Sequence, residues 1–461
     1  MTLTQFKSIY FLGIGGIGMS ALARWFIVNG YAVAGYDKTA TALTDALQAE
    51  GMAIHFAEDV DRIPVSFREN PAETLVIYTP AVPVTHAEYM YLTEQGFVVQ
   101  KRSQVLGLLA GQMKTVAVAG THGKTTTSSM IAHILRDAGI NCAAFMGGIT
   151  NNYGTNFLLN EPADDLREVV CVVEADEFDR SFLTLFPQLA VVTSTDADHL
   201  DIYGAHDAVL DSFGLFVSQI EPGGVLFMKK GLSLAGQTKA TVREYSLHDG
   251  DYKSDTLRIE EATFVFDLVH EKGVICAIKL TVPGYHNVEN AVAAGAVALE
   301  LGVSPDAIRS ALNSYRGVHR RFEYVLKTDR AVFIDDYAHH PAEVTAFLSS
   351  VKALYPDREL TAIFQPHLFS RTRDFADGFA ESLSIADHVL LLDIYPAREL
   401  PMAGVTSDLI FRGIQSKTKR LCAKDELPGI VRTTKPAVLV TIGAGDIDQL
   451  IPILKSALRS Q

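Results

Sequence analysis

The feature that most constrains this 461-residue chain is a glycine-rich loop set between an apolar strand and a helical pattern. The strand is predicted over residues 115–119, and the loop after it reads Gly120-Thr121-His122-Gly123-Lys124-Thr125-Thr126. The backbone amides of such a loop wrap a phosphate chain, and the N-terminus of the next helix adds partial positive charge. Lys124 supplies a full charge, and the Thr125 hydroxyl is placed to bind Mg²⁺. The loop is shorter than the GxxxxGKS/T pattern, but its setting predicts nucleoside triphosphate binding rather than a chance turn.

A second glycine pattern lies near the N-terminus, where the predicted strand Ser8–Leu12 leads into Gly13-Ile14-Gly15-Gly16-Ile17-Gly18. Asp37 stands at the end of the next predicted strand, Ala32–Tyr36, as in a dinucleotide-binding fingerprint. Three interpretations fit: an NAD-dependent dehydrogenase, a turn whose glycines serve only close packing, and a pyrophosphate site for a nucleotide sugar with Asp37 near the nucleoside. The loop 120–126, called the triphosphate loop below, favours the third interpretation, because a dehydrogenase does not need ATP.

Two acidic segments follow apolar strands of the central region. The first is Glu174-Ala175-Asp176-Glu177-Phe178-Asp179, and the second is Asp196-Ala197-Asp198-His199-Leu200-Asp201. A carboxylate at a strand end of a phosphate-loop fold is the expected place for a magnesium ligand, and carboxylate and imidazole groups bind divalent cations. We therefore expect Glu174 and His199 to bind metal, whereas Asp179 and Asp201 are expected to be solvated acidic residues of turns.

Two polar loops of the C-terminal region are candidates for substrate contacts. The first is Asp335-Asp336-Tyr337-Ala338-His339-His340-Pro341, which follows a predicted strand and is expected to open a helix at Pro341. The second is Gln365-Pro366-His367-Leu368-Phe369-Ser370-Arg371-Thr372-Arg373, which also follows a strand. Two arginines in an acidic protein predict a carboxylate clamp, since guanidinium binds carboxylate bidentately. For Arg373, a surface pair with a nearby acid is an equally good interpretation.

The chain is too long for one hydrophobic core, because cores stop growing near about 250–300 residues. Strands that alternate with helical stretches predict an α/β protein with parallel sheets. We predict three domains, at residues 1–105, 106–319 and 320–461. The first and the third are predicted to be doubly wound units, which bind ligands at the carboxyl ends of their strands. Residues 224–283 alternate like antiparallel strands.

The composition limits the classes of partner. Lysine and arginine number 40 against 54 acidic residues, so the net charge is −14. This excess argues against general binding of nucleic acid or of anionic membranes, because nothing draws a polyanion to the whole surface. No stretch approaches the roughly 20 uninterrupted apolar residues that cross a membrane. The four cysteines are scattered, with neither CxxC nor zinc spacing, which favours a reduced, cytoplasmic location.

In their order along the chain, these motifs resemble those of the Mur ligase family of peptidoglycan synthesis. The resemblance spans essentially the whole chain and adds Arg321, at the start of the third domain, and the motif Gly284-Tyr285-His286-Asn287-Val288-Glu289-Asn290. GIGGIGMS, EADEFD, DDYAHHP, and QPH followed by RT look most like the alanine-adding branch. The resemblance implies a Rossmann-like N-terminal domain for a UDP-sugar, a central P-loop-type ATPase domain, and a C-terminal Rossmann-like α/β domain that closes over the site.

The resemblance also implies a role for each matching residue. The loop 120–126 would hold the ATP phosphates, Thr125 and Glu174 would bind Mg²⁺, and His199 would bind a second metal ion or act as a general base. The remaining ATP contacts implied are His286, Asn287 and Asn290 at the adenine, Arg321 at the γ-phosphate and Asp336 near the ribose. The substrate contacts implied are Gly13, Gly15, Gly16, Ile17, Gly18 and Asp37 for the UDP-sugar, and Tyr337, His367 and Arg371 for the amino acid.

The implied activity joins L-alanine to UDP-N-acetylmuramate with ATP and Mg²⁺, through an acyl phosphate. Such a reaction needs no covalent nucleophile, because catalysis consists of positioning and of charge stabilisation by groups such as Lys124 and Arg321. Four alternatives stay open: a ligase of the family that recycles a whole tripeptide, a folylpolyglutamate synthetase, an NAD-dependent dehydrogenase, and a nucleotide switch without turnover. A monomer or weak homodimer is expected.

One residue departs from the family pattern. Family members often have an arginine directly after the histidine of the QPH motif, where this chain has Leu368. The departure leaves Arg371 as the main candidate for binding the carboxylate of the amino acid.

Overall fold

The computed structural model describes residues 3–163, 165–196, 203, 206–397 and 399–459. The chain forms two compact units, of which the first comprises residues 1–252 and 293–311 and the second residues 253–292 and 312–461. The boundaries predicted at residues 105 and 319 stay predictions. His199 and Asp201 lie outside the described residues.

Strands and helices alternate along most of the chain, as predicted for an α/β protein. The strands are β1 (Ser8–Leu12), β2 (Ala32–Tyr36), β3 (Ala53–His55), β4 (Thr74–Tyr78), β5 (Val98–Lys101), β6 (Lys114–Ala119), β7 (Cys142–Phe145), β8 (Phe157–Leu159), β9 (Val170–Glu174), β10 (Leu189–Val192), β11 (Val225–Lys229), β12 (Thr241–Ser246), β13 (Tyr252–Glu260), β14 (Thr263–His270), β15 (Gly273–Leu280), β16 (Glu323–Lys327), β17 (Val332–Asp336), β18 (Leu360–Phe364), β19 (His388–Leu391), β20 (Thr418–Leu421) and β21 (Val438–Ile442).

The described α-helices vary from a single turn to more than four turns. They are α1 (Ile17–Val28), α2 (Ala42–Ala49), α3 (Val65–Arg68), α4 (Ala87–Glu94), α5 (Arg102–Ala110), α6 (Lys124–Asp137), α7 (His206–Ser218), α8 (Tyr285–Glu300), α9 (Pro305–Ser314), α10 (Pro341–Leu354), α11 (Phe369–Leu383), α12 (Asp408–Gly413), α13 (Leu427–Thr434) and α14 (Ile451–Arg459). Helix α10 begins at Pro341, as predicted. Within the described part of the chain, no helix combines the length and the apolar character that crossing a membrane requires.

The first sheet is wholly parallel, with the strand order β3-β2-β1-β4-β5. β1 pairs with β2 on one side and β4 on the other, so the order reverses at β1. Ligands of such sheets bind beyond the carboxyl ends of the strands at the point of reversal. The first glycine loop, residues 13–18, leaves β1 at this point.

Side chains of β1 alternate between two apolar layers, as the pleat of a strand requires. Ile9 and Phe11 belong to a core that includes Phe26 of α1, whereas Tyr10 and Leu12 face the opposite layer. Both faces of the sheet are therefore covered, which is typical of a parallel sheet.

In the first unit, the central sheet has the order β12-β11-β10-β6-β9-β7-β8. Only β8 runs antiparallel to its neighbour. β6 lies between β10 and β9, so the loops that follow these three parallel strands emerge side by side. The triphosphate loop and the segment beginning at Glu174 are thereby brought to one edge of the sheet.

The prediction for residues 224–283 was wrong in its first part. β11 is parallel to β10 and β12 is parallel to β11, and the antiparallel pairs are β13 with β14 and β14 with β15. Helix α7 returns the chain across the sheet before β11, and such a crossover produces a parallel strand.

The third sheet has the order β16-β17-β21-β18-β19-β20 and lies in the second unit. β16 is antiparallel to β17, and the other pairs are parallel. The loops after β17, β18, β19 and β21 therefore leave the same edge of this sheet. These loops include both polar segments predicted to contact substrate.

Candidate functional site

The triphosphate loop has a backbone that only glycine adopts readily at two of its positions. Gly120 has φ 137° and Gly123, the N-cap of α6, has φ 80°. A β-carbon on Gly120 would collide with the Thr193 hydroxyl. The sequence therefore folds this segment as a tight turn that aims the amides of the loop and of the first turn of α6 at a common point.

The segment after β10 holds the triphosphate loop in place. The Ser194 hydroxyl accepts the amide of His122 at 2.9 Å and lies 2.8 Å from the Thr121 hydroxyl. The Asp196 amide donates to the Thr121 hydroxyl at 3.1 Å, and Nε2 of His122 lies 3.3 Å from the Asp196 carboxylate. His122 and Thr121 thus have a structural role in shaping the loop.

Lys124 is held by groups of its own unit. Its Nζ donates to the two carboxylate oxygens of Glu177 at 2.8 and 2.7 Å and to the Gly120 carbonyl oxygen at 2.6 Å. Burial acts to lower the pKa of Lys124, but the carboxylates of Glu177, Asp176 and Glu174 outweigh it and raise that pKa above its ordinary value. The ammonium group is therefore positively charged at the base of the loop.

Thr125 and Glu174, which were both predicted to bind Mg²⁺, lie next to each other beside the loop. The Thr125 hydroxyl donates to Oε2 of Glu174 at 2.8 Å, and the same oxygen accepts the Gly147 amide at 2.9 Å. A hydroxyl and a carboxylate side by side are the hard oxygen ligands that Mg²⁺ prefers. These two residues therefore fit a magnesium ion bound next to the triphosphate.

The described residues contain no complete metal site made of histidine, cysteine and acidic side chains alone. Among those residues, no group of three or more His, Cys, Asp or Glu side chains is arranged to hold a metal ion. The role predicted for His199 stays a prediction. Asp179 forms an ion pair with Lys101 at 3.2 Å on the surface, as expected for a solvated residue.

Asp37, a residue of the same domain, binds the first glycine loop through its side chain. Oδ2 of Asp37 accepts the Gly15 amide at 2.7 Å, and Oδ1 accepts the Thr39 amide at 3.1 Å. The N-cap of α1 is Gly16, and no side chain caps this helix end. The amides in the first turn of α1 are therefore the loop's available anion donors.

A cavity of about 290 Å³ lies between the first glycine loop and the acidic segment that begins at Glu174. Gly16, Ile17 and Gly18 line one side, and Glu174 and Asp176, from beside the triphosphate loop, line the other. The complete lining comprises Gly16, Ile17, Gly18, Met19, Ala21, Leu22, Thr79, Arg102, Leu106, Phe145, Met146, Gly147, Glu174 and Asp176. Of the residues predicted for the UDP-sugar, Gly13, Gly15 and Asp37 lie outside this lining.

Arg102 brings positive charge to the cavity. It begins α5, and a β-carbon on Gly18 would lie 2.9 Å from its guanidinium Nη1. Asn156 fixes the nearby start of α1, because its amide donates to the Ile17 carbonyl at 2.5 Å and to the Ser20 hydroxyl at 2.9 Å. The cavity therefore has an anion-binding end made from a guanidinium and a helix N-terminus.

In the second unit, Asp336 ties the start of the third sheet to the loop after β17. Its carboxylate oxygens accept the amides of Phe322 at 2.7 Å and of Ala338 at 2.8 Å. Burial raises the pKa of Asp336 to about 7, although Arg321 and both amides act in the opposite direction. Guanidinium carbons of Arg320 and Arg321 lie 5.2 and 5.1 Å from the centre of the Tyr337 ring.

The QPH loop brings His367 close to the loop after β17. The ring of His367 lies 6.4 Å from that of His339, and Arg371 is buried in the first turn of α11. Leu368 is buried as well, so it contributes apolar packing where family members often have a charge. Arg373 pairs with Asp374 at 2.7 Å on the surface, as the alternative interpretation predicted.

The GYHNVEN segment opens α8 with buried amides. Asn287 donates to the Pro283 carbonyl at 2.9 Å, and Asn290 donates to the Asn287 side-chain oxygen at 3.4 Å. Gly284 has φ 125°, and a β-carbon there would lie 2.7 Å from the His286 ring. Glycine is therefore required at the start of this turn.

Three residues of the site were not predicted from the sequence. Glu177, Arg102 and Gly147 contact Lys124, Gly18 and Glu174 respectively. A signal existed for Glu177, which lies in the same acidic segment as Glu174. Arg102 and Gly147 carry no motif of their own, and their contacts arise from the folding of distant segments.

Family models match three consecutive parts of the chain. Residues 8–114 match the Mur ligase family, catalytic domain, residues 118–298 the Mur ligase middle domain, and residues 320–445 the Mur ligase, glutamate ligase domain. A protein of Phocaeicola vulgatus named UDP-N-acetylmuramate–L-alanine ligase is 49% identical over 455 residues, covering 98% of both chains.

Solved structures give the same result for the fold. A UDP-N-acetylmuramate–alanine ligase from Thermotoga maritima matches with a TM-score of 0.80 at 26% identity, covering 98% of this chain and 99% of that one. A murein peptide ligase from Psychrobacter arcticus matches with a TM-score of 0.69 at 24% identity, covering 98% of each, and shows the fold alone. This chain has the three-domain α/β architecture of these proteins, and it belongs to the Mur ligase family.

Proposed function

We propose that this protein uses ATP to join L-alanine to the carboxyl group of UDP-N-acetylmuramate, releasing ADP and phosphate. Its likeness to relatives of that name over nearly their full length supports this substrate pair. The reaction would supply a precursor of peptidoglycan. The cysteines of the chain are free thiols, which fits the cytoplasmic location that we propose for the reaction.

The observation that carries the proposal is the cavity between the first glycine loop and Glu174, whose carboxylate accepts the hydroxyl of Thr125 from the triphosphate loop. Its guanidinium and helix N-terminus suit the diphosphate of a nucleotide sugar, and its opposite side adjoins the triphosphate loop. A sugar carboxylate placed in this cavity would lie next to the γ-phosphate of ATP. A dehydrogenase would have no use for a triphosphate loop at the same cavity.

The chemistry follows from the charges around the triphosphate. A carboxylate attacks the γ-phosphate, the bond to the β-phosphate breaks, and an acyl phosphate and ADP result. The amine of alanine then displaces phosphate and forms the amide. Repulsion between the carboxylate and the phosphates opposes the first step, and Lys124 offsets it from the base of the loop. Charge stabilisation of this kind is the main part of catalysis in phosphoryl transfer.

A magnesium ion bound by Thr125 and Glu174 would supply further positive charge at the phosphates. Arg321, His286, Asn287, Asn290 and Asp336 belong to the second unit, and we propose that they bind ATP as in other members of the family. Tyr337, His367 and Arg371 are proposed to bind the amino acid, with the buried Arg371 guanidinium at its carboxylate.

Phosphate release from ATP and Mg²⁺ tests the proposal. UDP-N-acetylmuramate is supplied with L-alanine, L-serine, glycine or a murein tripeptide, and the product masses are measured. We expect turnover with L-alanine that disappears when either the sugar or the amino acid is omitted. Turnover of UDP-N-acetylmuramate with the tripeptide but not with L-alanine would identify the recycling ligase instead. Phosphate release that needs no sugar carboxylate would refute the proposal. NADH absorbance, followed in the same samples, tests the dehydrogenase alternative.

A further inference from the structure

The loop after β19 carries no motif that predicted a function, yet Tyr395 and Glu399 in it are bound closely to the QPH loop, residues 365–368, and to the start of α11. The two loops follow neighbouring parallel strands, β18 and β19. Tyr395 donates its amide to the Pro366 carbonyl at 2.8 Å, and the Leu368 amide donates to the Tyr395 carbonyl at 2.9 Å. His367 and Tyr395 thereby pair as a parallel bridge beyond the end of the sheet.

This pairing holds a strained part of the QPH loop. Leu368 has φ 70°, a conformation that residues other than glycine rarely adopt. Its amide is bound by Tyr395, and its carbonyl accepts the Thr372 hydroxyl at 2.8 Å. Glu399, from the same loop as Tyr395, accepts the Ser370 amide at 3.0 Å at the start of α11. The orientation of His367 and of the first turn of α11 therefore depends on Tyr395 and Glu399.

The side chains of His367 and Tyr395 also lie against each other. The Tyr395 ring is nearly parallel to the His367 ring, at 19°, with the ring centres 5.8 Å apart. The position of Tyr395 also requires Gly445, because a β-carbon there would lie 2.8 Å from Cβ and Cγ of Tyr395. Tyr395 is thus placed between the end of β21 and the imidazole, and it limits how far His367 can rotate.

His367 in turn belongs to a row of rings from three loops. Ring centres are 5.4 Å apart between Tyr337 and His339 and 6.4 Å apart between His339 and His367. Tyr395 forms the end of this row, and all four rings are partly exposed. The small side chain of an amino acid bound near His367 would therefore contact these rings, and Tyr395 determines where they lie.

We propose that Tyr395 is a positioning residue that fixes His367 and thereby sets the size limit of the amino-acid subsite. The proposal rests on the function proposed above. Tyr395 acts through its ring and its backbone, and its hydroxyl has no part in the role. Removal of the ring lets His367 rotate towards the space of Tyr395, which enlarges the subsite and loosens its contact with L-alanine.

Variants at Tyr395 test the proposal, with Tyr355→Phe as a control tyrosine in the same domain. Tyr395→Phe keeps the ring and should behave as the wild type. Tyr395→Ala and Tyr395→Leu should raise the KM for L-alanine by about tenfold or more and change the KM for ATP and for the UDP-sugar by less than about twofold. Discrimination against 2-aminobutyrate, which is one methylene longer than alanine, should fall by about tenfold in both variants.

Tyr395→Leu keeps much of the buried volume, so the test remains available if Tyr395→Ala does not fold. An unchanged KM for L-alanine and unchanged discrimination in folded Tyr395→Leu would overturn the assignment. An equal loss of kcat with every substrate, at constant KM, would overturn it too, because a merely structural defect has that effect. A wild-type enzyme that is inactive with L-alanine and the sugar would overturn the proposed function, and this assignment with it.

Discussion

The two glycine loops of the first unit have the same setting in the chain but different charged neighbours. Both follow a buried strand and precede a helix. Beside the loop 120–126, Lys124 faces the carboxylates of Glu174 and Glu177, whereas the loop 13–18 has Asp37 on one amide and Arg102 beside its last glycine. The glycines determine the shape of each turn, and charged side chains from other segments determine which anion the turn suits.

The domains that carry these loops also differ in how they neutralise a buried acid. Glu177, with 2% of its side chain exposed, forms an ion pair with Lys124, whose Nζ lies 2.7 Å away. Glu88, whose side chain is fully buried, has Tyr10 and His55 as neighbours instead of a lysine. A charged pair suits a site that must exchange one anion for another, and a neutral network suits a domain that only holds its shape. Four predictions test this comparison.

The largest effect is expected from Lys124→Met, which removes the cation of the triphosphate loop. A preorganised charge of this kind is worth about 10²–10³ in rate, so we expect kcat for phosphate release to fall by at least that factor. The variant also removes the buried ion pair with Glu177, and removing one member of a buried pair costs about 3–5 kcal/mol of stability. Urea denaturation and steady-state kinetics measure the two effects.

The double variant Lys124→Met/Glu177→Gln separates them. It should regain most of the free energy of unfolding and none of the activity. Activity that returns together with stability would show that Lys124 serves the fold and has no role at the phosphates.

Gly147→Ala is expected to have the second largest effect. Its β-carbon would collide with both carboxylate oxygens of Glu174, which must then move away from Thr125. A displacement of about 1 Å in a catalytic group costs about 10²-fold in rate. We expect kcat to fall by that factor and the Mg²⁺ concentration for half-maximal rate to rise. Gly236→Ala, which has open space around it, is the matched control. Normal magnesium dependence in Gly147→Ala would argue against Glu174 as a metal ligand.

Arg102→Ala tests the charge of the other loop. Hydrogen bonds to charged groups contribute about 1.5–3 kcal/mol, so the KM for the UDP-sugar should rise by about 10–100-fold. The KM for ATP should stay unchanged, because Arg102 belongs to the anion-binding end of the cavity. Arg167→Ala, at an arginine whose side chain is 84% exposed, is the control for loss of a positive charge. If the KM for ATP rose and the KM for the UDP-sugar did not, Arg102 would act on ATP, and its assignment to the UDP-sugar would be wrong.

Most of the fold could be predicted from local patterns. The strands Ser8–Leu12 and Ala32–Tyr36 have the predicted bounds, because each is a short apolar run between glycine or polar residues. β11 and β12 were predicted with the wrong orientation, since alternation along one strand carries no information about the direction of its neighbour.

The candidate site was predictable only where one segment contains the whole motif. Thr125 and Glu174 were each recognisable, and the structure brings them together because β6 and β9 are neighbours. Arg102, Gly147 and Tyr395 were not, because each matters through a contact with a residue far away in the chain. Such contacts follow from strand order, which the local pattern of a single sequence does not specify.

Glu88 lies in a buried hydrogen-bond network with Tyr10 and His55. The Tyr10 hydroxyl donates to Oε2 of Glu88 at 2.5 Å and lies 2.8 Å from Nε2 of His55, and Nδ1 of His55 lies 2.9 Å from the Ala57 carbonyl oxygen. The Tyr10 hydroxyl and the Asp59 amide act to lower the pKa of Glu88, but burial outweighs them.

The smallest effect is therefore a pH dependence of stability. Burial raises the pKa of Glu88 from 4.5 to about 7 and lowers the pKa of His55. The stabilising contribution of protonated Glu88 is complete below pH 4.5 and is lost as the pH rises towards 7, up to about 3 kcal/mol. Glu88→Gln cannot ionise. As the pH rises from 5 to 8, its free energy of unfolding should therefore increase relative to that of the wild type. Equal pH profiles for the two proteins would contradict the raised pKa of Glu88 and would remove this difference between the two domains.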